Sequence, residues 1–533
     1  MKYLTVLTVL VTLWAPALGQ VTYQRLLEAD REPGNWLTYS GQYNGQRYSR
    51  LEQINRENVQ ELEMKWAFQM RTLEDVETTP LVVDGVMYIT EPPSNAHALD
   101  PRTGRTYWSY IRDLPDGIHT CCGRNNRGLA ILGDKLYLGT VDAHLVALDA
   151  KTGSVIWDIE VADRNDGYSL TLAPLVVKDM VIVGVAGGEF GIRGFLDAYD
   201  AITGKRVWRF YTVPGPGEPG HETWEGDAWK KGGAPTWLTG SFDPDLNLIY
   251  WGTGNPSPDF NGAVRPGDNL YADSVIALDA DSGKLKWHFQ FTPHDVWDWD
   301  AAQIPVLVDT EFEGQMRKLM LWANRNAFYY VFDRATGELL LARQFARQNW
   351  AQGIDSRGRP VIKPEAIPTD KGVVVFPGIQ GATNWYSPSY SPLTELLYIA
   401  VRDVPTFVSA SDVDYDPGSL YLGSRWNGFS EDPSWANIRA LIPETGEVKW
   451  EYPLHRDVWT GLMSTAGGLV FGGSVEGQFF ALDTVTGKEL WRANTGGKVI
   501  SAPVTYLSDG KQLVSIAAGN TLFTFGLDHR DTK

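Results

Sequence analysis

The sequence predicts an all-β protein, an eight-bladed β-propeller whose blades dock on one another through tryptophan. Three observations predict it. A pattern of the form A-x-D-x-x-T-G-x-x-x-W recurs along the chain. Its copies are mostly about 40–55 residues apart, the range of a four-stranded propeller blade. The composition of 54 Gly and 12% aromatic residues suits strands and tight turns.

Seven copies are legible. ALDPRTGRTYW ends at Trp108, ALDAKTGSVIW at Trp157, AYDAITGKRVW at Trp208 and ALDADSGKLKW at Trp287. VFDRATGELLL ends at Leu341, where Leu replaces Trp; ALIPETGEVKW ends at Trp450 and ALDTVTGKELW at Trp491. Each reads as a hairpin. The apolar residue before Asp closes one strand, and Asp, Thr and Gly form the turn, with Gly free to take positive φ. The Trp belongs to the next strand and can stack on a neighbouring unit. One hairpin is marginal in water; several stacked in a ring are not.

The turn glycines are Gly104, Gly153, Gly204, Gly283, Gly337, Gly446 and Gly487. Between Gly204 and Gly283 lies a Pro- and Gly-rich insertion, TVPGPGEPGHETWEG. The gap from Gly337 to Gly446 is about twice the usual, so a degenerate eighth blade is expected there, with ELLYIAVRD as one strand. LEMKWAFQM, with Trp66, is expected to help close the ring. PLVVDGVMYIT, PLVVKDMVIVGV and GGLVFGGS each read as two strands around a tight turn.

The first residues carry Lys2, an apolar run from Tyr3 to Trp14 and the small-residue end Ala17-Leu18-Gly19. That is the three-part pattern of a secretory signal peptide, and the run is shorter than the roughly 20 residues a membrane span needs. The expected organisation is a leader over 1–19, one propeller domain over 20–533, export to the periplasm and no stable membrane insertion. A net charge of -18 argues against nucleic acid, which is bound through Lys and Arg on phosphates, and permits a basic protein partner.

Two short stretches carry chemistry. HTCCGRNNRG holds Cys121 and Cys122, the only two cysteines. Adjacent Cα atoms lie about 3.8 Å apart, below the usual span of a bridge. The pair is either two reduced thiols or a small strained ring, too local to staple the fold. PHDVWDWDAA packs Asp295, Asp298 and Asp300 together. On an extended strand Asp298 and Asp300 share one face and Trp297 and Trp299 the other. Such a cluster is either a solvated acidic turn or a seat for a hard cation.

The repeats resemble two groups: the quinoprotein alcohol dehydrogenases, which bind pyrroloquinoline quinone (PQQ) on the propeller axis, and the outer-membrane assembly lipoproteins, which share the propeller without a cofactor. CCGRNNRGLA, GGAPTWLTGSFDPDLNLIYWGTGNP and PHDVWDWDAA resemble the first group. That resemblance implies a vicinal Cys121–Cys122 disulfide stacked on one face of PQQ and Trp237 on the other. Asp298 is implied as catalytic base and Arg325, in ANRNAF, as the cation beside the reactive carbonyl. Glu189, Asn255, Asp298 and Asp300 are implied as metal ligands. Glu77, Arg127, Thr171, Gly187, Gly188, Arg325 and Asn384 are implied around the quinone, and Trp459 at the substrate cavity. Family members that carry a second Asp two places after the catalytic one use lanthanides, so Asp300 points to a lanthanide, with calcium as the alternative.

The implied activity is oxidation of a primary alcohol to an aldehyde by hydride transfer to PQQ. No C-x-x-C-H haem motif is present, since Cys122 is followed by Gly123. A separate periplasmic cytochrome c is therefore the expected acceptor. The competing expectation is a non-catalytic propeller scaffold of the outer-membrane assembly type.

Overall fold

Each of the seven repeat turns joins the last two strands of an antiparallel sheet. In the copy at Gly153, Asp149 Oδ1 accepts the Thr152 backbone N–H and hydroxyl, both at 2.8 Å. Gly153 itself takes φ +73°, which its missing Cβ makes costless. The computed structural model describes residues 20–425, 427–429 and 434–527, and the leader-like pattern of 1–19 lies outside them. Eight blades follow one another over 81–110, 130–160, 175–211, 241–290, 306–344, 389–454, 463–494 and 504–527. The last is completed by Leu62–Gln69, antiparallel to Thr521–Leu527. The seventh gains an inner edge strand, Tyr48–Ser49, paired in parallel.

Tryptophan fixes the angle between blades. A Cβ on Gly153 would lie 2.5 Å from the Trp108 ring, one on Gly283 2.5 Å from Trp208, and one on Gly487 2.5 Å from Trp450. Each of these indoles lies flat on the turn glycine of the following blade. Its N–H donates to a carbonyl of the same turn: Trp108 to Ala150 at 3.0 Å, Trp208 to Ala280 at 3.1 Å and Trp450 to Thr484 at 3.0 Å. The ring closes by the same contact. Trp66 meets Gly104 and donates to Pro101, and Trp491 donates to Leu62. Where Leu341 replaces Trp, the Tyr329 ring covers Gly446 and its hydroxyl donates to the Pro443 carbonyl at 3.1 Å.

Among the described residues, the span between Gly337 and Gly446 contains no additional blade, contrary to expectation. ELLYIAVRD supplies Leu396–Asp403, a strand of the blade that Gly446 itself turns. The extra length forms a two-stranded sheet (Ala351–Ile354 and Pro360–Ile362) and a three-stranded one (Val373–Val375, Thr406–Val408 and Gly428–Phe429). The eighth blade is the closing one. It carries no copy of the motif because its outer strand arrives from the other end of the chain, so no hairpin turn is needed. PLVVDGVMYIT and PLVVKDMVIVGV are hairpins as expected, whereas GGLVFGGS is a turn followed by one strand, Leu469–Gly473.

Among the described residues, no helix is long and apolar enough to cross a membrane.

Candidate functional site

In an antiparallel four-stranded blade, the loop entering the first strand and the loop between the second and third strands emerge at the same end. That end of the propeller gathers the site. Glu77, Arg127, Thr171, Trp237, Asp300, Asn384 and Trp459 each stand a few residues before the first strand of a blade. Glu189, Asn255 and Arg325 follow the second strands Met180–Gly184, Leu248–Gly252 and Gln315–Ala323. The loops converge around a cavity of about 430 Å³.

Cys121 and Cys122 form a disulfide, and the ring they make lines this cavity together with Trp237. Glu77 and Arg127 form a buried ion pair at 2.7 Å. The Arg127 guanidinium lies 4.9 Å from both the Trp237 and Trp385 rings, a cation–π contact that places the charge without a second carboxylate. Burial pushes the Glu77 carboxyl up to about 7, against the opposing pull of Arg127.

Asp298 and Asp300 do converge, but not by strand alternation. Asp295 accepts the backbone N–H groups of Trp297 at 3.3 Å and Trp299 at 3.1 Å, curling the segment into a loop in which Asp298 takes φ +64°. Trp297 and Trp299 then stack, centroids 4.8 Å apart, against Trp350 beneath. Arg325 spans the two carboxylates: Nη1 is 3.6 Å from Asp298 Oδ1 and Nη2 3.4 Å from Asp300 Oδ2. The same guanidinium donates to the Asp298 carbonyl at 2.8 Å and to Asn384 Oδ1 at 3.1 Å. Asp300 also accepts the Asn255 backbone N–H and the Trp237 indole N–H, each at 2.7 Å.

The donor set suits a hard cation. Asn255 is 1% exposed, yet its Oδ1 has no hydrogen-bond partner among the described residues. An unmatched buried acceptor is costly, and a cation would satisfy it. Burial and the Asp300 carboxylate raise Glu189 to about 7. Burial, opposed by Arg325 and reinforced by Asp300, holds Asp298 well above the usual carboxylate range. Glu189, Asp298 and Asp300 line one cavity, where a positive ion would offset their like charges. Gly188 gives that grouping room: a Cβ there would come 3.3 Å from Asn255 Oδ1 and 3.0 Å from the Pro235 ring. Both cysteine sulfurs lie near Glu189, Cys122 Sγ at 3.8 Å from Oε1, but they are bonded to each other and offer no thiolate.

Every sequence-predicted site residue therefore lies in or against one region. Glu77, Cys121, Cys122, Arg127, Thr171, Gly187, Glu189, Trp237, Asp298, Asp300, Arg325, Asn384 and Trp459 line the cavity. Asn255 and Gly188 sit directly behind it. Sequence reasoning missed Trp385, Asn125, Ser169 and Gln380, which also line it. Trp385 could have been found from its place in the same blade-entry position as Asn384. Asn125 holds the disulfide turn by donating to the Cys122 carbonyl at 3.0 Å.

The glucose/ethanol/alcohol dehydrogenase β-propeller family, described as PQQ-dependent, matches residues 36–344 and 340–514. The quinoprotein alcohol dehydrogenase PedH of Pseudomonas putida is 38% identical, the match covering 94% of this chain and 89% of that protein. The crystal structure of the quinohemoprotein alcohol dehydrogenase from Comamonas testosteroni superposes with a TM-score of 0.90 at 35% identity, over 96% of this chain and 83% of that one. A europium-containing methanol dehydrogenase superposes equally well, TM-score 0.90 at 34% identity, over 95% of this chain and all of the other.

Proposed function

This chain belongs to the PQQ-dependent alcohol dehydrogenase family, and we propose that it oxidises primary alcohols to aldehydes in the periplasm with a lanthanide as its metal. The carrying observation is that Asp298 and Asp300 share one guanidinium, Arg325, at 3.6 and 3.4 Å, in a cavity also lined by the Cys121–Cys122 ring and Trp237.

When bound, the quinone supplies a two-electron acceptor and the cation a Lewis acid that polarises it. The protein's own residues do the rest. Glu189, Asn255, Asp298 and Asp300 are the oxygen donors that would hold the ion. The disulfide and Trp237 would restrain a planar ring, and Glu77, Arg127, Thr171 and Asn384, with Gly187 and Gly188, would border its polar edge. Asp298, the more open acid of the pair with its side chain 20% exposed, takes the proton of the alcohol hydroxyl as general base. Arg325 holds that carboxylate in place and offers its N–H groups to negative charge developing beside it.

A lanthanide is favoured over calcium because Asp300 adds a carboxylate, and a trivalent ion gains more from it than a divalent one. The europium-containing relative supports the same choice. Electrons leave to a separate cytochrome c: the sequence has no C-x-x-C-H, and its charge of -18 suits a basic partner. The leader-like pattern of 1–19 supports export. The test is dye-linked oxidation of an alcohol panel by the protein reconstituted with PQQ and either lanthanum or calcium. Turnover with lanthanum is expected, and no turnover with either metal would refute the reading.

A further inference from the structure

The span between Gly337 and Gly446 carries a loop, 411–423, set between the strands Thr406–Val408 and Gly428–Phe429. The Ser411 N–H donates to the Gly423 carbonyl at 2.9 Å and closes its neck. In sequence the loop belongs to the blade over 389–454, yet it reaches two others. The Tyr421 N–H donates to the Glu189 carbonyl at 2.6 Å, in the blade over 175–211. The next residue, Leu422, accepts the Phe260 N–H at 2.9 Å, in the blade over 241–290 and on the loop that carries Asn255. The Asn261 amide adds a bond to the Ser411 carbonyl at 3.2 Å.

Glu189 needs a hold from outside its own segment. It lies in a single 3₁₀ turn, Gly188–Phe190, flanked by Gly187 and Gly191 at φ +122° and +68°. Glycine gives up more conformational freedom on folding than any other residue, and so short a turn has little hydrogen bonding of its own. The loop supplies the hold. Tyr415 and Tyr421 pack edge to face, centroids 5.2 Å apart. A Cβ on Gly191 would lie 2.8 Å from the Tyr415 ring and 3.3 Å from the Tyr421 ring. Lys231 Nζ sits 4.8 and 4.6 Å from the same two rings. Tyr421 is 2% exposed, whereas Leu420 beside it is 53% exposed. Neither tyrosine lines the cavity, so any effect on the site acts through Glu189 and Asn255.

We propose that the 411–423 loop is a strap that fixes the Glu189 and Asn255 loops relative to each other, with Tyr421 as a positioning residue of the cation site. This rests on the reading that Glu189, Asn255, Asp298 and Asp300 hold the metal. One ion can bridge ligands from two blades only if their separation is held, and the adjacent residues Tyr421 and Leu422 tie both loops. The coupling runs both ways. If an unseated strap lowers ion affinity about tenfold, in the range for an outer-layer partner, a bound ion favours the seated strap by the same factor.

The experiment uses the full chain treated with chelator and loaded with PQQ, with terbium(III) as the probe. Tyr421→Ala is expected to weaken terbium about tenfold by calorimetry. Tyr421→Phe keeps the ring and is expected to bind as the wild type does. In the wild type, terbium is expected to slow chymotryptic cleavage at Tyr415 and Leu420 about tenfold, because cleavage follows the population of the open strap. In Glu189→Ala it is expected to leave that cleavage unchanged. Unchanged terbium affinity in Tyr421→Ala, an equal loss in Tyr421→Phe, or strap cleavage that terbium does not slow, or slows equally in Glu189→Ala, would overturn the inference while leaving the site intact. Should Tyr421→Ala not fold, the cleavage comparison decides alone. Wild-type terbium binding that is absent, or unmoved by Glu189→Ala, overturns the cation site itself and the strap's role with it.

Discussion

The indole N–H of Trp237 donates to Asp300 Oδ2 at 2.7 Å. One bond therefore ties the aromatic wall of the cavity to the carboxylate that distinguishes the proposed lanthanide site. Asp300 receives a second N–H, from the Asn255 backbone, also at 2.7 Å. Each oxygen keeps lone pairs for an ion, so the same side chain can set the pitch of the wall and bind metal.

Replacing Asp300 should thus disturb two things at once. Asp300→Ala is expected to abolish lanthanum-dependent turnover and to release the Trp237 ring, seen as a change in tryptophan fluorescence. Lanthanum-dependent activity at the wild-type level would refute its role as a ligand.

Asp298→Asn separates binding from chemistry. The amide is the same size and can still accept from Arg325, but it cannot take a proton. Turnover should fall roughly 10²–10⁴-fold, the usual share of a general base, with PQQ affinity retained by absorbance titration.

The cysteine ring is tested by Cys121→Ser with Cys122→Ser. Two serines leave Asn125 its backbone contact but remove the rigid face, so PQQ should dissociate faster in a stopped-flow release assay. An unchanged off-rate would mean that the ring takes no part in holding the quinone.

Blade docking makes a prediction about two glycines with similar backbone and different surroundings. Gly153 and Gly85 take φ +73° and +81°. A Cβ on Gly153 meets the Trp108 ring at 2.5 Å, and one on Gly85 meets nothing within 4 Å. Gly85→Ala should cost about 1–2 kcal/mol for the left-handed backbone alone. Gly153→Ala should cost about 2–4 kcal/mol, since the overlap with the indole adds to it. Urea unfolding of both variants measures the difference.

Glu77 gives a pH prediction. Its folded pKa, about 7, lies above the ordinary unfolded carboxylate value, so the folded protein keeps a proton that the unfolded chain releases. That contribution is complete below the unfolded pKa and is lost as pH rises through about 7. The loss is on the order of 3 kcal/mol. Glu77→Gln cannot titrate, so its stability should fall less than that of the wild type between pH 5 and pH 8. Parallel curves in PQQ-free protein would show that Glu77 is ionised throughout.

Much of the ring was legible because its blades touch through one repeated contact. A turn glycine and an indole recur at fixed spacing since each blade presents the same socket to its neighbour. The closing blade was misplaced for the same reason: its outer strand, Leu62–Gln69, comes from the far end of the chain and needs no turn. A motif that marks hairpins cannot mark a blade that lacks one.

The site divides in the same way. Local sequence picked out the residues proposed to carry chemistry, because Cys121-Cys122 and Asp298-x-Asp300 are distinctive as written. Only the tertiary structure decided that these segments face one cavity, that Asp298 and Asp300 meet through a loop wound on Asp295 rather than a strand, and that Trp385 belongs beside them. Those outcomes depend on loops from different blades emerging at one end of an antiparallel array. Contacts made across hundreds of residues, such as Arg127 between two indoles, leave no periodic trace in the chain that makes them.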